Sequence, residues 1–263
     1  MIVSPAQAVA WLDSNTHNRP LSDSVVIKYQ KDMAAGRWKY NHLAILFDTT
    51  GKLLDGQHRL WACVESGVSF DTDVVFGAEP DVQDTLDDPF IRSAGHQGAL
   101  GGAKNATNAA AIAKLILTYR ERGTMVSMNN PKNSPTKSQI IELVKSGDAQ
   151  LEDAASRVCQ LSKALCRASI VGFCYYLFSL QNTVLAGRFF GELQSGVGLS
   201  RGNPALLLRE KLRVNAAAKA KLPALHLIAL FFRAWSSYRD GRDLKILKTW
   251  RCDGPNPEAF PTI

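Results

Sequence analysis

Leu53-Leu54-Asp55-Gly56-Gln57-His58-Arg59-Leu60-Trp61-Ala62 is the stretch on which the reading of this chain turns. Two leucines lead into it as a strand, and an amphipathic helix leaves it at Gln57 and stops at Gly67. Gly56 lets the backbone bend tightly and come close to a ligand. The first turn of the helix presents backbone N–H groups and the positive end of the helix dipole, which suits an anion. Gln57 and His58 add side-chain donors, and Arg59 adds a forked cation suited to bidentate phosphate contact. Two readings stand side by side. One is a strand–glycine–helix phosphate cradle. The other is a plain tight turn in which Asp55 caps the helix and His58 and Arg59 are solvated.

Working outward, residues 1–100 read as α/β. Ser4–Leu12 is a short helix capped by Ser4, with Ala10 and Trp11 facing inward. Asn15–Pro20 is a polar turn. Ser22–Gly36 is a second helix, its Val25, Val26, Tyr29 and Met33 at helical spacing. Leu43–Phe47 and Lys52–Leu54 pair as strands across Asp48–Gly51, and Val68–Gly77 is a further strand. Pro80–Leu86 is a helical turn or two, and the glycine-rich Gly95–Lys104 is the expected boundary. The chain beyond it, 101–263, reads as nearly all helix. Thr136-x-x-Gln139 is a capping box at the start of one of these helices.

Asp55-Gly56-Gln57-His58-Arg59, between an apolar strand and a helix, resembles the second box of the ParB/sulfiredoxin superfamily. The D-G-Q-H-R string is similar to a branch found in phage and mobile-element proteins. Asn15-x-x-Asn18-Arg19-Pro20 resembles the first box of that family, and Asp87-Asp88-Pro89-Phe90-Ile91-Arg92-Ser93 the third. The resemblance covers roughly residues 3–100. It implies an α+β protein: a ParB/sulfiredoxin-like N-terminal α/β domain (1–100) that binds nucleotide phosphates, followed by an all-helical domain (101–263). Gly56, Gln57, His58 and Arg59 would hold the phosphates, and Arg19 and Arg92 would close around them. The cofactors implied are a nucleoside triphosphate, ATP or CTP, and Mg²⁺. Asp88 is the carboxylate in place to act as base or magnesium ligand, with Asp87 beside it. Pro89 stands where partition proteins have an asparagine, a departure from their metal geometry. Asp55 and His58 are further candidates for proton transfer.

Charge divides the chain the same way. Residues 1–100 hold 8 Lys+Arg against 13 Asp+Glu, a balance of −5, and residues 101–263 hold 23 against 11, a balance of +12. A basic helical segment suits a phosphate-backbone partner such as DNA. The apolar fraction of 46% and charged fraction of 21% exclude collagenous and disordered classes. The most apolar stretches, Ser169–Leu180 and Leu222–Trp235, fall short of the roughly 18 consecutive apolar residues of a spanning helix. Tyr175, Tyr176 and Phe178 read as core packing, and His226 as a satisfied core residue. The five cysteines, an odd number with no C-x-x-C, read as reduced thiols. No signal peptide is evident, so the expected location is cytoplasmic, in a bacterial host if the chain is phage-encoded.

Three function classes follow. The first is a nucleotide-dependent phosphotransferase or nucleotide hydrolase linked to DNA or nucleotide metabolism. The second is a non-catalytic ParB-like DNA-binding module, with a homodimer open. The third is a ParB-like nuclease, although the chain has no HNH motif and no carboxylate array for paired metals.

Overall fold

The computed structural model describes residues 1–16, 18, 20–79, 82, 94, 105–126, 130, 134–161, 166–253 and 256–263, with the side chains of 159–161 excepted. The fold is α+β, with ten helices and two small sheets among the described residues. It divides into two units, Met1–Arg92 and Ser93–Ile263.

The N-terminal unit runs β1 (Ile2–Val3), α1 (Pro5–Leu12), α2 (Asp23–Ala34), β2 (Ile45–Asp48), β3 (Leu53–Asp55), α3 (Gln57–Ser66), β4 (Phe70–Asp71) and β5 (Val74–Ala78). β2 is the middle of a three-stranded sheet. It runs antiparallel to β3, with Leu46 opposite Asp55, and parallel to β5, with Ile45 opposite Val74. β1 and β4 form a separate antiparallel pair. The single strand expected over 68–77 is therefore two, serving different sheets. The hairpin and α3 form where the sequence places them. The Asp48 carboxylate ties the turn by accepting from the backbone N–H of Thr50 (2.7 Å) and Lys52 (2.9 Å). These contacts hold the Asp48 carboxyl below its usual range, against a desolvation that pushes it up.

Ser4 caps α1 through its hydroxyl, which accepts from Gln7 N–H. The inward residue of that helix is Ala8, however, and Ala10 is exposed. Trp11 does face the core, edge-on to Phe47 at 5.3 Å. Val26, Met33, Ile45, Phe47, Leu53, Leu60, Ala62 and Cys63 fill the rest of that core.

The second unit is helical: α4 (Ala106–Arg122), α5 (Lys137–Lys145), α6 (Ala149–Leu161), α7 (Ala168–Gln181), α8 (Thr183–Ser195), α9 (Pro204–Ala217) and α10 (Ala224–Arg239). The expected capping box opens α5, with Gln139 N–H on Thr136 Oγ1 and Thr136 N–H on Gln139 Oε1. The two most apolar stretches become α7 and α10. A helix apolar all round belongs inside, and Ile170–Ser179 of α7 is buried on every side. Phe178 and Trp235 stack at 4.5 Å. Tyr175 and Tyr176 pack into this core and donate their hydroxyls to Asp153 and Asp148. A β-carbon on Gly172 would press on Ile112 of α4 and Val158 of α6, so glycine lets α7 approach both helices. No described helix is long and apolar enough to cross a membrane.

The C-terminal tail is fastened to α10 by Glu258. Its Oε2 accepts from Arg233 Nη2 (2.6 Å) and from Arg251 N–H (3.2 Å), while Trp250 Nε1 donates to its carbonyl. The Arg233 contact first, then the Arg251 amide, pull the Glu258 carboxyl from 4.5 down to about 2. A lowered folded-state pKa means stability that is present above the ordinary value and lost as pH falls through the lowered one. Acid titration of Trp250 fluorescence is therefore expected to show the tail loosening between pH 4.5 and about 2. Glu258→Gln should remove that step; a step of the same size in the variant would assign it to another carboxylate.

Candidate functional site

The β3–α3 turn places its side chains by local rules. Gly56 is the N-cap of α3 at φ 110°, a left-handed conformation that favours glycine. It is also buried, and a β-carbon there would run into the Ile45 side chain of β2. Packing against the sheet thus demands glycine before any ligand is considered. Asp55 does not cap the helix. Gly56 occupies that place and no side chain caps it.

Gln57, His58 and Arg59 follow in the first turn and are all buried, at 5%, 9% and 6% exposure. Three consecutive buried polar side chains need partners, because an unmet buried donor or acceptor costs about 1–3 kcal/mol. Gln57 Oε1 accepts from Asn15 Nδ2 (3.2 Å). Asn18 Nδ2 donates to Asn15 Oδ1 (2.6 Å) and to the Leu53 carbonyl (2.7 Å). Asn15 and Asn18 are thereby stitched to the β3–α3 turn. His58 Nε2 accepts the backbone N–H of Ser22 (3.0 Å), the N-cap of α2. In the neutral ring the proton then sits on Nδ1, which becomes the donor. Proton abstraction through Nε2 is closed while it holds an amide that cannot give up its hydrogen.

Arg59 departs most from the sequence reading. Its guanidinium is neither solvated nor aimed outward. Nη1 donates to the Leu43 carbonyl, and Nη2 donates to the Ala44 carbonyl (2.6 Å) and to Asp55 Oδ2 (2.9 Å). The fork closes the approach to β2 against the start of α3. Burial pulls the Arg59 pKa down, opposed chiefly by the Asp55 charge. Asp55 spends its carboxylate on this pair, and its side chain is 49% exposed.

A second group is made of His42 and Tyr40, which precede β2, and Asp73. His42 has a left-handed backbone at φ 58°, unusual for a residue other than glycine. Its ring lies 4.2 Å from that of Tyr40, whose hydroxyl donates to Asp73 Oδ1 (2.7 Å). Tyr40 is thereby pushed up from its usual pKa.

Arg19, Asp87, Asp88 and Arg92 lie outside the described residues, as do His17, the third box and the Gly95–Lys104 boundary. The structure thus brings together Gly56, Gln57, His58, Arg59 and Asp55, and adds Asn15, Asn18 and Ser22. Among the described residues no three His, Cys, Asp or Glu side chains group as a metal site. Asp55, the carboxylate described at the turn, is engaged by Arg59. These described residues do not make a magnesium site. Comparison of the chain with family models, with curated proteins and with solved structures finds no match to any of them.

Proposed function

We propose that the β3–α3 turn holds the phosphate groups of a nucleoside triphosphate, ATP or CTP, and that the chain is a nucleotide-dependent phosphotransferase or hydrolase serving DNA or nucleotide metabolism. The observation that carries this reading is the run of buried polar side chains, Gln57, His58 and Arg59, in the first turn of a ten-residue helix behind an obligatory glycine. In this reading Gln57 and His58 line the phosphate site, and the helix dipole adds positive potential. Arg59 contributes its charge from within while it holds the turn. Asn15 and Ser22 fix these two side chains, so little order is lost on binding. The resemblance to ParB/sulfiredoxin proteins supports the same site.

The test is a thermal-shift titration with ATP, CTP, GTP and UTP, with and without Mg²⁺, on wild type and Gln57→Glu. The glutamate keeps an acceptor for Asn15 and suits a helix N-terminus, but its charge repels phosphate. A ligand present at a hundred times its Kd stabilises the native state by about 2.7 kcal/mol. A rise of several degrees with one nucleotide in the wild type, lost in Gln57→Glu, is the expected result. A rise that persists in the variant would move the site elsewhere.

The +12 balance of residues 101–263 favours a second reading, DNA contact by the helical unit. Arg157, a cation on α6, is already paired with Asp153 and lies over the Tyr175 ring. DNA affinity that falls steeply with salt and is unchanged in Gln57→Glu would favour this binding-module reading.

A further inference from the structure

We propose that Cys252 and His226 form a reactive thiol pair that undergoes disulfide exchange with small disulfides of the glutathione class. Cys252 Sγ lies 3.6 Å from His226 Nε2. His226 stands in the first turn of α10, and its ring packs against Trp250 at 5.4 Å. Trp250 is held in turn by its bond to the Glu258 carbonyl (2.9 Å) and by Phe260, ring to ring at 5.2 Å. The imidazole is therefore fixed on the sulfur rather than swinging in solvent.

His226 is not the satisfied core residue that its apolar helix suggests. Its Nδ1 is enclosed and has no hydrogen-bond partner among the described residues. A buried N–H donor without an acceptor costs more than an unmet acceptor, so the ring proton belongs on Nε2. Nε2–H then faces the Cys252 sulfur at 3.6 Å. The imidazole thus meets the sulfur at contact distance, and the sulfur itself is open to solvent.

Cys252 is also the one exposed thiol among the described cysteines. Burial pushes Cys63 and Cys166 up to about 11 and Cys174 well above its ordinary value, which leaves those thiols protonated. In the exchange step the Cys252 thiolate attacks one sulfur of the disulfide. A Cys252–S–S–R bond forms as the R–S–S–R bond breaks, and RS⁻ leaves and is protonated by water. The small disulfide is the oxidant, and two electrons pass to the departing thiol. The adduct lands beside the Arg251–Glu258–Arg233 clasp, so the modification marks the segment that fastens the tail to α10.

The reduced, desalted full chain is incubated under native conditions with oxidised glutathione, and the adduct is located by peptide mass mapping. A synthetic peptide of residues 248–258 serves as the unstructured reference. One glutathione per chain on Cys252 is expected, formed about 5–10 times faster than on the peptide, as fixed access and an imidazole at the sulfur dictate. Cys252→Ser should take up none at matched times. His226→Asn should react at the peptide's rate. The proposal is overturned if another cysteine is modified first, if Cys252 reacts no faster than the peptide, or if a folded His226→Asn keeps the wild-type rate. Should His226→Asn fail to fold, the ratio of wild type to peptide decides alone.

Discussion

Arg59→Ala is expected to destabilise the N-terminal unit by about 2–4 kcal/mol, the cost of unpaired buried carbonyls plus the space left by the side chain. The guanidinium joins two carbonyls ahead of β2 to the first turn of α3, and nothing in an alanine replaces it. The ion pair with Asp55 is the smaller part, because the Asp55 side chain is 49% exposed and screened by water. Asp55→Asn should therefore cost about 1 kcal/mol or less. Arg59→Lys should fall between, since one ammonium cannot span the positions that the planar fork holds. The urea dependence of hydrogen-exchange protection in α3 peptides measures this unit separately from the helical one. If Arg59→Ala costs no more than Asp55→Asn, the carbonyl contacts do not bear the load assigned to them. Loss of ligand binding in Arg59→Ala would not by itself identify a phosphate contact, which is why Gln57→Glu is the sharper probe.

Gly56→Ala should be comparably damaging, at about 2–5 kcal/mol, for two separable reasons. Its φ of 110° lies outside the regions an L-residue occupies comfortably, and its new methyl would collide with the wholly buried Ile45 side chain. Gly56→Ala combined with Ile45→Val relieves part of the collision and none of the backbone strain. The double variant should recover a fraction of the loss, with a coupling of roughly 0.5–3 kcal/mol between contacting sites. Full recovery would show that the dihedral imposes no cost, and no recovery would show that the Ile45 contact does not matter. If the turn holds a nucleotide as proposed, the stabilisation it brings should be absent from Gly56→Ala.

How far the chain can be read unaided depends on the range of the interaction. Ser4, Pro5, Gly36, Gly67 and the Thr136–Gln139 box act within a turn or two of themselves, and the helices they start or stop lie within a residue or two of where the sequence puts them. The two apolar stretches of the second half announce its central helices because a side chain buried all round leaves no polar face. Gly56 is legible as a bend, but its collision partner Ile45 is eleven residues away and across a hairpin. The same limit governs the site. Composition shows that Arg59 is a forked cation next to a glycine turn; only the tertiary fold, which brings the carbonyls of Leu43 and Ala44 to the first turn of α3, decides that the fork turns inward. Asn15 meets Gln57 across 42 positions and His58 meets Ser22 across 36, so neither pair leaves a local trace. The stretch 68–77 reads as one strand because alternation is a property of the segment, whereas its division between two sheets is set by which partners, β1 or β2, lie beside it. The sequence by itself determined the elements, their caps and the division of charge, all of them near-neighbour effects. Tertiary structure decided which donors meet which acceptors, because a buried polar group must take the partner that packing brings to it.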